Sequence, residues 1–172
     1  MREGGSVGKT RSALIFAAVL SLACAKAEKN EVAKVDSAKN DSVFAALQKR
    51  GEMTMGVDQY SSAHRFEPLP DGGRIVLQRD SADSAGEATI RAHLKSVAAA
   101  FSSGDFTSPE FVHAMDSVPG TAVMAKLKGE ISYVASDIPR GGEVRISTTN
   151  AEAVKAIHEF LAFQRHDHHA GM

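Results

Sequence analysis

The sequence predicts an α+β fold in which duplicated ββα units form a four-stranded antiparallel sheet with helices packed on one face. Glycine-rich turn signals at 70–73 and 139–142 each lie between two strand-like segments. Each hairpin is followed by a segment whose apolar residues recur at helical spacing. A chain of 172 residues, 43% of them apolar, has room for one such domain and flexible ends.

The first 23 residues are typical of an export signal. Three basic residues, Arg2, Lys9 and Arg11, precede an uncharged apolar run over 13–23. This run is far shorter than the roughly 20 apolar residues that a helix needs to cross a bilayer. We therefore interpret 1–23 as a cleaved signal peptide and not as a membrane span.

The end of the signal, Leu-Ser-Leu-Ala-Cys over 20–24, resembles the bacterial lipobox, with Ser21 where leucine is commoner. The resemblance implies that Cys24 is acylated and becomes the new N-terminus. The protein is then anchored to a membrane by its lipid and faces the periplasm of the bacterial cell envelope. The alternative, cleavage after Ala25 or Ala27, predicts a secreted soluble protein. In both cases the domain has no free thiol, because the only cysteine is acylated or removed. The domain must therefore fold without disulfides.

Residues 24–41 mix both charge signs and contain few large apolar groups, which predicts a flexible tether. The remaining chain, 42–172, is expected to form a single α+β domain with a histidine-rich C-terminal tail. It begins with a predicted helix over 42–50, with Val43, Phe44 and Leu47 on one side and Gly51 at its end.

Charge argues against nucleic acid as a partner. Without residues 1–23 the chain has 17 Lys+Arg and 20 Asp+Glu, and it contains no basic run. Proteins that bind nucleic acid usually present clustered positive charge to the phosphates.

The first ββα unit is predicted to have strands over 64–69 and 74–79. A capping box formed by Ser84 and Glu87 indicates the start of its helix. The buried stripe of that helix is Ile90, Leu94, Val97 and Phe101.

The second unit is predicted to have strands over 131–135 and 143–148, and its helix is capped by Asn150. Alternating apolar residues predict one buried sheet face and one wet face. The residues expected to be buried are Ile131, Tyr133, Val144, Ile146, Val154, Ile157 and Leu161. Between the units we expect an irregular stretch over 104–115 and a short helix over 121–128 that ends at Gly129.

The two helices align when the sequence is shifted by 64 residues, which places Ile90 on Val154 and Val97 on Leu161. The hairpin glycines align at a shift of 69 residues, so the first unit has a longer loop before its helix. This similarity is the basis for predicting a duplication.

Histidines near the C-terminus are candidate metal ligands. His166, His168 and His169 follow His158 within the last fifteen residues. Imidazole is a common ligand of copper and zinc, and neighbouring histidines on a mobile tail can bind one ion together. The alternative is a solvated tail that suits the negative end of a helix.

Methionine also lies two residues from histidine or methionine, in His113-Ala-Met115 and Met53-Thr-Met55. Thioether and imidazole together suit copper, because soft sulfur favours Cu(I). The alternative is that these methionines fill the core. A further possibility is that His93 and His158, at similar places on the two helices, approach a common site.

The leading functional hypothesis is a binding module of the cell envelope that captures copper or zinc, with His113 and Met115 aiding the tail. The first alternative is a non-catalytic interaction module that uses the wet sheet face to hold another envelope protein. Its candidate residues are Arg74, Gln78, Glu143 and Arg145. The second is a small hydrolase centred on His113, with Ser108, Asp105 and Glu110 nearby. No recognisable catalytic motif accompanies these residues, which favours a protein that is not an enzyme.

Overall fold

The computed structural model describes residues 39–170, and all of these from Ser42 onward belong to one compact unit. The elements are, in chain order, α1 (39–55), β1 (Ser62–Leu69), β2 (Gly72–Arg79), α2 (Ser84–Ser103), α3 (Thr107–His113), α4 (Thr121–Lys126), β3 (Ser132–Ile138), β4 (Gly141–Ser147) and α5 (Ala151–Asp167). Single 3₁₀ turns cover Gln59–Ser61 and Lys128–Glu130. The predicted signal, Cys24 and residues 24–38 of the predicted tether lie outside the described residues.

The four strands form one antiparallel sheet in the order β1-β2-β4-β3, so the α+β prediction is confirmed. Each hairpin closes at a glycine, since Leu69 pairs with Gly72 and Ile138 pairs with Gly141. At the centre of the sheet β2 and β4 approach closely. A Cβ atom on Gly141 would lie 2.0 Å from the carbonyl oxygen of Leu77, so this position requires glycine.

The two ββα units are related by an approximate twofold axis at the centre of the sheet. Ile75 pairs with Val144, which is its counterpart when the hairpin glycines are superimposed. The helices are exchanged between the units: α2 packs mainly against β3 and β4, and α5 packs against β1 and β2. The helix of each unit therefore covers mainly the hairpin of the other unit.

The core lies between the helices and one face of the sheet. All four residues of the predicted α2 stripe are buried, and Ile157 and Leu161 of α5 are 0% exposed. Val154 is only partly buried, and Phe160 takes a core position that was not predicted. The sheet contributes the predicted residues Ile131, Tyr133, Val144 and Ile146. Among residues 39–170, no helix is long and apolar enough to cross a membrane.

Helix starts and ends differ from the predictions where two signals compete. α1 continues past Gly51 to residue 55, and Val43 is 58% exposed instead of packed. The N-cap of α2 is Asp83 and not Ser84, because the Asp83 carboxylate accepts the backbone N–H of Gly86 at 3.0 Å. The predicted cap of α5 is confirmed, since Asn150 accepts the backbone N–H of Glu152.

The stretch over 104–115 is not irregular, because it contains helix α3. Pro109 lies in the first turn of α3, where a missing backbone N–H costs no helical hydrogen bond. The helix ends at Ala114, which has a left-handed backbone with φ of 51°. The following helix α4 ends at Lys126, and a 3₁₀ turn continues from it to Glu130.

Candidate ligand-binding site

A cavity of about 80 Å³ lies between the β1–β2 hairpin and the helices. Most of its wall is aliphatic or aromatic, and four histidines, one glutamine, one threonine and one serine supply polar atoms. Its lining residues are Thr54, Met55, His64, Phe66, Ile75, Leu77, His93, Leu94, Val97, Phe101, Ser108, Pro109, Val112, His113, Phe160, Gln164 and His168. An apolar pocket with a few convergent polar groups is typical of a small-molecule site.

The four histidines of the cavity come from four different parts of the fold. His64 lies on the inward face of β1, two residues before the buried Phe66 and opposite Leu77 of β2. His93 is on α2 and His113 is the last residue of α3. His168 directly follows α5, and the turn at the helix end directs its ring into the cavity.

Two of these imidazoles form an aromatic stack with Phe66. The ring centroids of His64 and His168 are 5.2 Å apart with the planes inclined by 25°, and His168 lies 5.6 Å from Phe66. His113 contacts the same His168 ring edge-on at 5.1 Å. The ring of His168 therefore fills a place beside Phe66 that a ligand could occupy if the ring moved away.

Burial keeps three of the imidazoles uncharged. It lowers the pKa of His64 to about 4, with a further contribution from repulsion by His93. Burial also lowers the pKa of His168 to about 3, assisted by repulsion from His64, His113 and His169, and it lowers the pKa of His93. A neutral imidazole offers one N–H donor and one lone pair to a ligand.

His113 has a different environment from the other three. Its side chain is 0% exposed, its Nδ1 contacts the carboxylate of Asp167, and its Nε2 lies 3.0 Å from Oε1 of Gln164. A side-chain oxygen atom therefore faces each of the two ring nitrogens of His113. Among residues 39–170, no group is hydrogen-bonded to the buried amide nitrogen of Gln164. It is therefore a free donor in the wall of the cavity.

Met55 contributes a sulfur atom to the wall of the cavity. Its side chain is buried, and its Sδ lies 3.3 Å from Nε2 of His64. The sequence pattern paired Met55 with Met53, but Met53 is 68% exposed and does not line the cavity. The partner of Met55 is instead His64, from a different element.

The predicted metal ligands are not brought together in the described chain. His166 is exposed, and the ring of His169 stacks on Phe44 at 4.3 Å. His158 donates from Nε2 to the carbonyl oxygen of Leu69, while Met115 is 39% exposed. Between residues 39 and 170, no three His, Cys, Asp or Glu side chains are grouped so that they could hold one metal ion.

Only His113 and His168 of the predicted ligands line the cavity. The possible common site of His93 and His158 does not form either, because His93 faces the cavity and His158 is bound to the β1–β2 hairpin.

The residues considered for hydrolysis are partly assembled. Ser108 lines the cavity with His113, and Asp167 is held against the imidazole as an orienting carboxylate would be. However, Gln164 is the partner of the second ring nitrogen, and within residues 39–170 no hydroxyl is hydrogen-bonded to His113. Asp105 is bound to Thr107, in the first turn of α3.

The wet face of the sheet carries ion pairs between its own side chains. Arg74 contacts Glu67 at 2.7 Å and Glu143 at 3.5 Å, and Arg145 contacts Asp71 at 2.5 Å. Gln78 donates to the carbonyl oxygen of Pro139. The face is thus polar, and its charged groups are already paired within the protein.

No protein family, curated protein or solved structure was found to match this chain. The site is therefore described from its own geometry. Sequence reasoning did not identify His64, Gln164 or Met55 as parts of one site. The alternation of β1 could have placed His64 on the inward face, because His64 lies two residues before Phe66. For Gln164, the sequence feature that indicated an inward position was its spacing of one helical turn from Phe160 on α5.

Proposed function

We propose that the protein is an exported, lipid-anchored binding protein of the bacterial cell envelope that holds a small, mostly apolar ligand in this cavity. The observation that supports this proposal most directly is the convergence of neutral imidazoles and a buried amide donor on a mostly apolar wall. The predicted signal and Cys24 support the proposed location, and the chemistry of the wall supports the proposed ligand class.

The wall favours a ligand with an apolar body and one hydrogen-bonding group. An apolar body gains from contact with side chains such as Phe66, Leu94 and Val97. The amide nitrogen of Gln164 offers a donor, and binding of an acceptor there relieves the cost of a buried unpaired polar atom. An anionic ligand is less favoured, because three of the four imidazoles are uncharged.

The cavity also limits the size of the ligand. Its volume of about 80 Å³ is smaller than the roughly 150 Å³ of an engineered cavity that admits benzene. A ligand of a few non-hydrogen atoms fits without rearrangement. A larger one has to displace His168, which belongs to the end of α5 and not to the centre of the domain.

The test uses 1-butanol as a probe, followed by NMR of the imidazole protons. Saturable shifts of the His64, His93 and His168 resonances are expected in the wild-type protein. Ser108→Leu, which adds apolar volume to the cavity wall, is expected to weaken binding at least tenfold. Ser96→Leu is the matched control, because Ser96 is exposed on α2 outside the cavity lining, and it should bind as the wild type does.

Two results oppose the proposal. One is the absence of saturable shifts in the wild-type protein at probe concentrations that leave it folded. The other is equal binding by the wild type and Ser108→Leu, which places the probe elsewhere.

The envelope location has its own measurement. Mass spectrometry of the N-terminus of the protein purified from membranes is expected to show a diacylated or triacylated Cys24. An unmodified N-terminus after Ala25 or Ala27 contradicts the lipid anchor and leaves the cavity proposal intact.

Capture of copper or zinc by the C-terminal histidines stays a prediction. It requires the rings of His168 and His169 to leave their contacts with Phe66 and Phe44 before they can join His166. The described geometry gives it less support than a ligand in the cavity.

A further inference from the structure

We propose a second kind of ligand for this wall: Met55, His64 and His93 bind one soft monovalent metal ion, copper(I), at the edge of the cavity. The inference does not depend on the small-molecule proposal, since it involves a different ligand and a different set of contacts. It also differs from the predicted C-terminal site, since it uses none of the tail histidines.

The spacing of sulfur and nitrogen is the first observation. Sδ of Met55 and Nε2 of His64 are 3.3 Å apart, and both side chains line the cavity. With first-row metal–nitrogen and metal–sulfur bonds of about 2.0 and about 2.3 Å, one ion could contact both atoms at an angle of roughly 100°. Such a bent pair belongs to a three- or four-coordinate site, so a third ligand is required.

His93 is the candidate for the third ligand. It lines the same cavity as Met55 and His64, and it comes from α2, a different element of the fold. His168 is less suitable, although its ring contacts that of His64. A metal ion binds imidazole in the plane of the ring, and the stacked rings of His64 and His168 are inclined by only 25°. Two nearly parallel rings 5.2 Å apart do not direct their lone pairs at one point.

The donor set decides which ion is preferred. A thioether is a soft ligand that favours Cu(I), and imidazole accepts copper in either oxidation state. All three side chains are neutral when His64 and His93 are unprotonated, so an ion with a single positive charge is buried at lower cost than a divalent one. Mg²⁺ and Ca²⁺ are disfavoured because the three donors include no oxygen.

Silver(I) is a suitable probe because it shares the charge and softness of copper(I) and is stable in air. The mature protein, in which Cys24 is acylated or removed and no free thiol competes for silver(I), is labelled with ¹³C at its methionine methyl groups and titrated with silver nitrate in chloride-free buffer. Saturation at one equivalent is expected, with shifts of the Met55 methyl group and of the His64 and His93 imidazole resonances. Because this measurement uses the wild-type protein, it does not depend on whether a variant folds.

Variants then test the thioether directly. Met55→Leu retains the shape of the buried side chain and removes its sulfur, and it is expected to lower the affinity for silver(I) at least tenfold. Met124→Leu is the matched control, because Met124 is 0% exposed but does not line the cavity. It should leave the affinity unchanged, as should the double variant His166→Gln/His169→Gln.

Several outcomes overturn this proposal. One is silver(I) binding that leaves the resonance of the Met55 methyl group or of either imidazole unshifted. Another is an affinity for silver(I) that Met55→Leu does not reduce. Loss of binding in the His166→Gln/His169→Gln variant assigns the ion to the C-terminal tail instead. None of these results affects the 1-butanol experiment, so the two proposals fail separately.

Discussion

Lowering the pH from 7 to 5 is expected to destabilise the metal-free protein by up to about 4 kcal/mol, mainly through His64 and His168. Burial holds the pKa values of these groups in the folded protein at about 4 and about 3. In the unfolded chain both return to about 6.5. The unfolded state therefore takes up protons first as the pH falls, and the free energy of unfolding decreases below pH 6.5.

The magnitude at pH 5 depends mainly on the unfolded chain. Each histidine contributes about 1.4 kcal/mol per pH unit between its two pKa values, which gives about 2 kcal/mol at 1.5 units below 6.5. At pH 5 both imidazoles remain mostly unprotonated in the folded protein, because the folded pKa values are about 4 and about 3. The sum is an upper figure, because both rings retain some contact with solvent. The carboxyl groups of Glu67 and Asp71 have lowered pKa values and are already ionised at pH 5.

Urea unfolding at pH 7 and pH 5, with a chelator present, measures the difference. His168→Phe keeps an aromatic ring against Phe66 and removes one titrating group, so its loss of stability should be smaller than that of the wild type by about 2 kcal/mol. His166→Phe, at an exposed position nearby, is the matched control and should retain the wild-type difference. Equal free energies of unfolding at the two pH values would refute the reasoning, and so would a full pH dependence in His168→Phe.

Two further predictions concern the fold. Gly141→Ala is expected to lower the free energy of unfolding in a urea titration by more than about 2 kcal/mol, because the new Cβ would lie 2.0 Å from the carbonyl oxygen of Leu77. Gly129→Ala is the control: among the described residues no atom lies within 4 Å of its new Cβ, so it should cost less than about 1 kcal/mol. Asn150→Ala removes the N-cap of α5 and should lower the melting temperature, with a cost of about 1 kcal/mol. An unchanged melting temperature would show that the cap contributes nothing to stability.

Local signals were sufficient to predict the sheet and its two main helices. The turns before Gly72 and Gly141 determine where the hairpins close, and the apolar stripes of α2 and α5 determine which sides are buried. The prediction was wrong where short elements carry weak or competing signals. Helix α3 has only seven residues with a proline in its first turn, and Asp83 competes with the adjacent Ser84 for the cap of α2.

The candidate site could not be predicted in the same way. Its histidines come from β1, α2, the end of α3 and the turn after α5, and no local periodicity brings these elements together. His113 was noted for its neighbour Met115, but the contacts that define its role come from Asp167 and Gln164, more than fifty residues later. Their proximity depends on how α5 packs beside α3.

The exchange of helices between the two units has a consequence for how the two halves of the domain assemble. In each half the helix packs mainly against the hairpin of the other half, so a single half leaves much of its apolar sheet face uncovered. The predicted duplication implies that two copies of one half could pair in the same way, through the strands that contain Ile75 and Val144. Separately expressed halves, divided in the segment between α3 and α4, are accordingly expected to assemble into one complex when mixed.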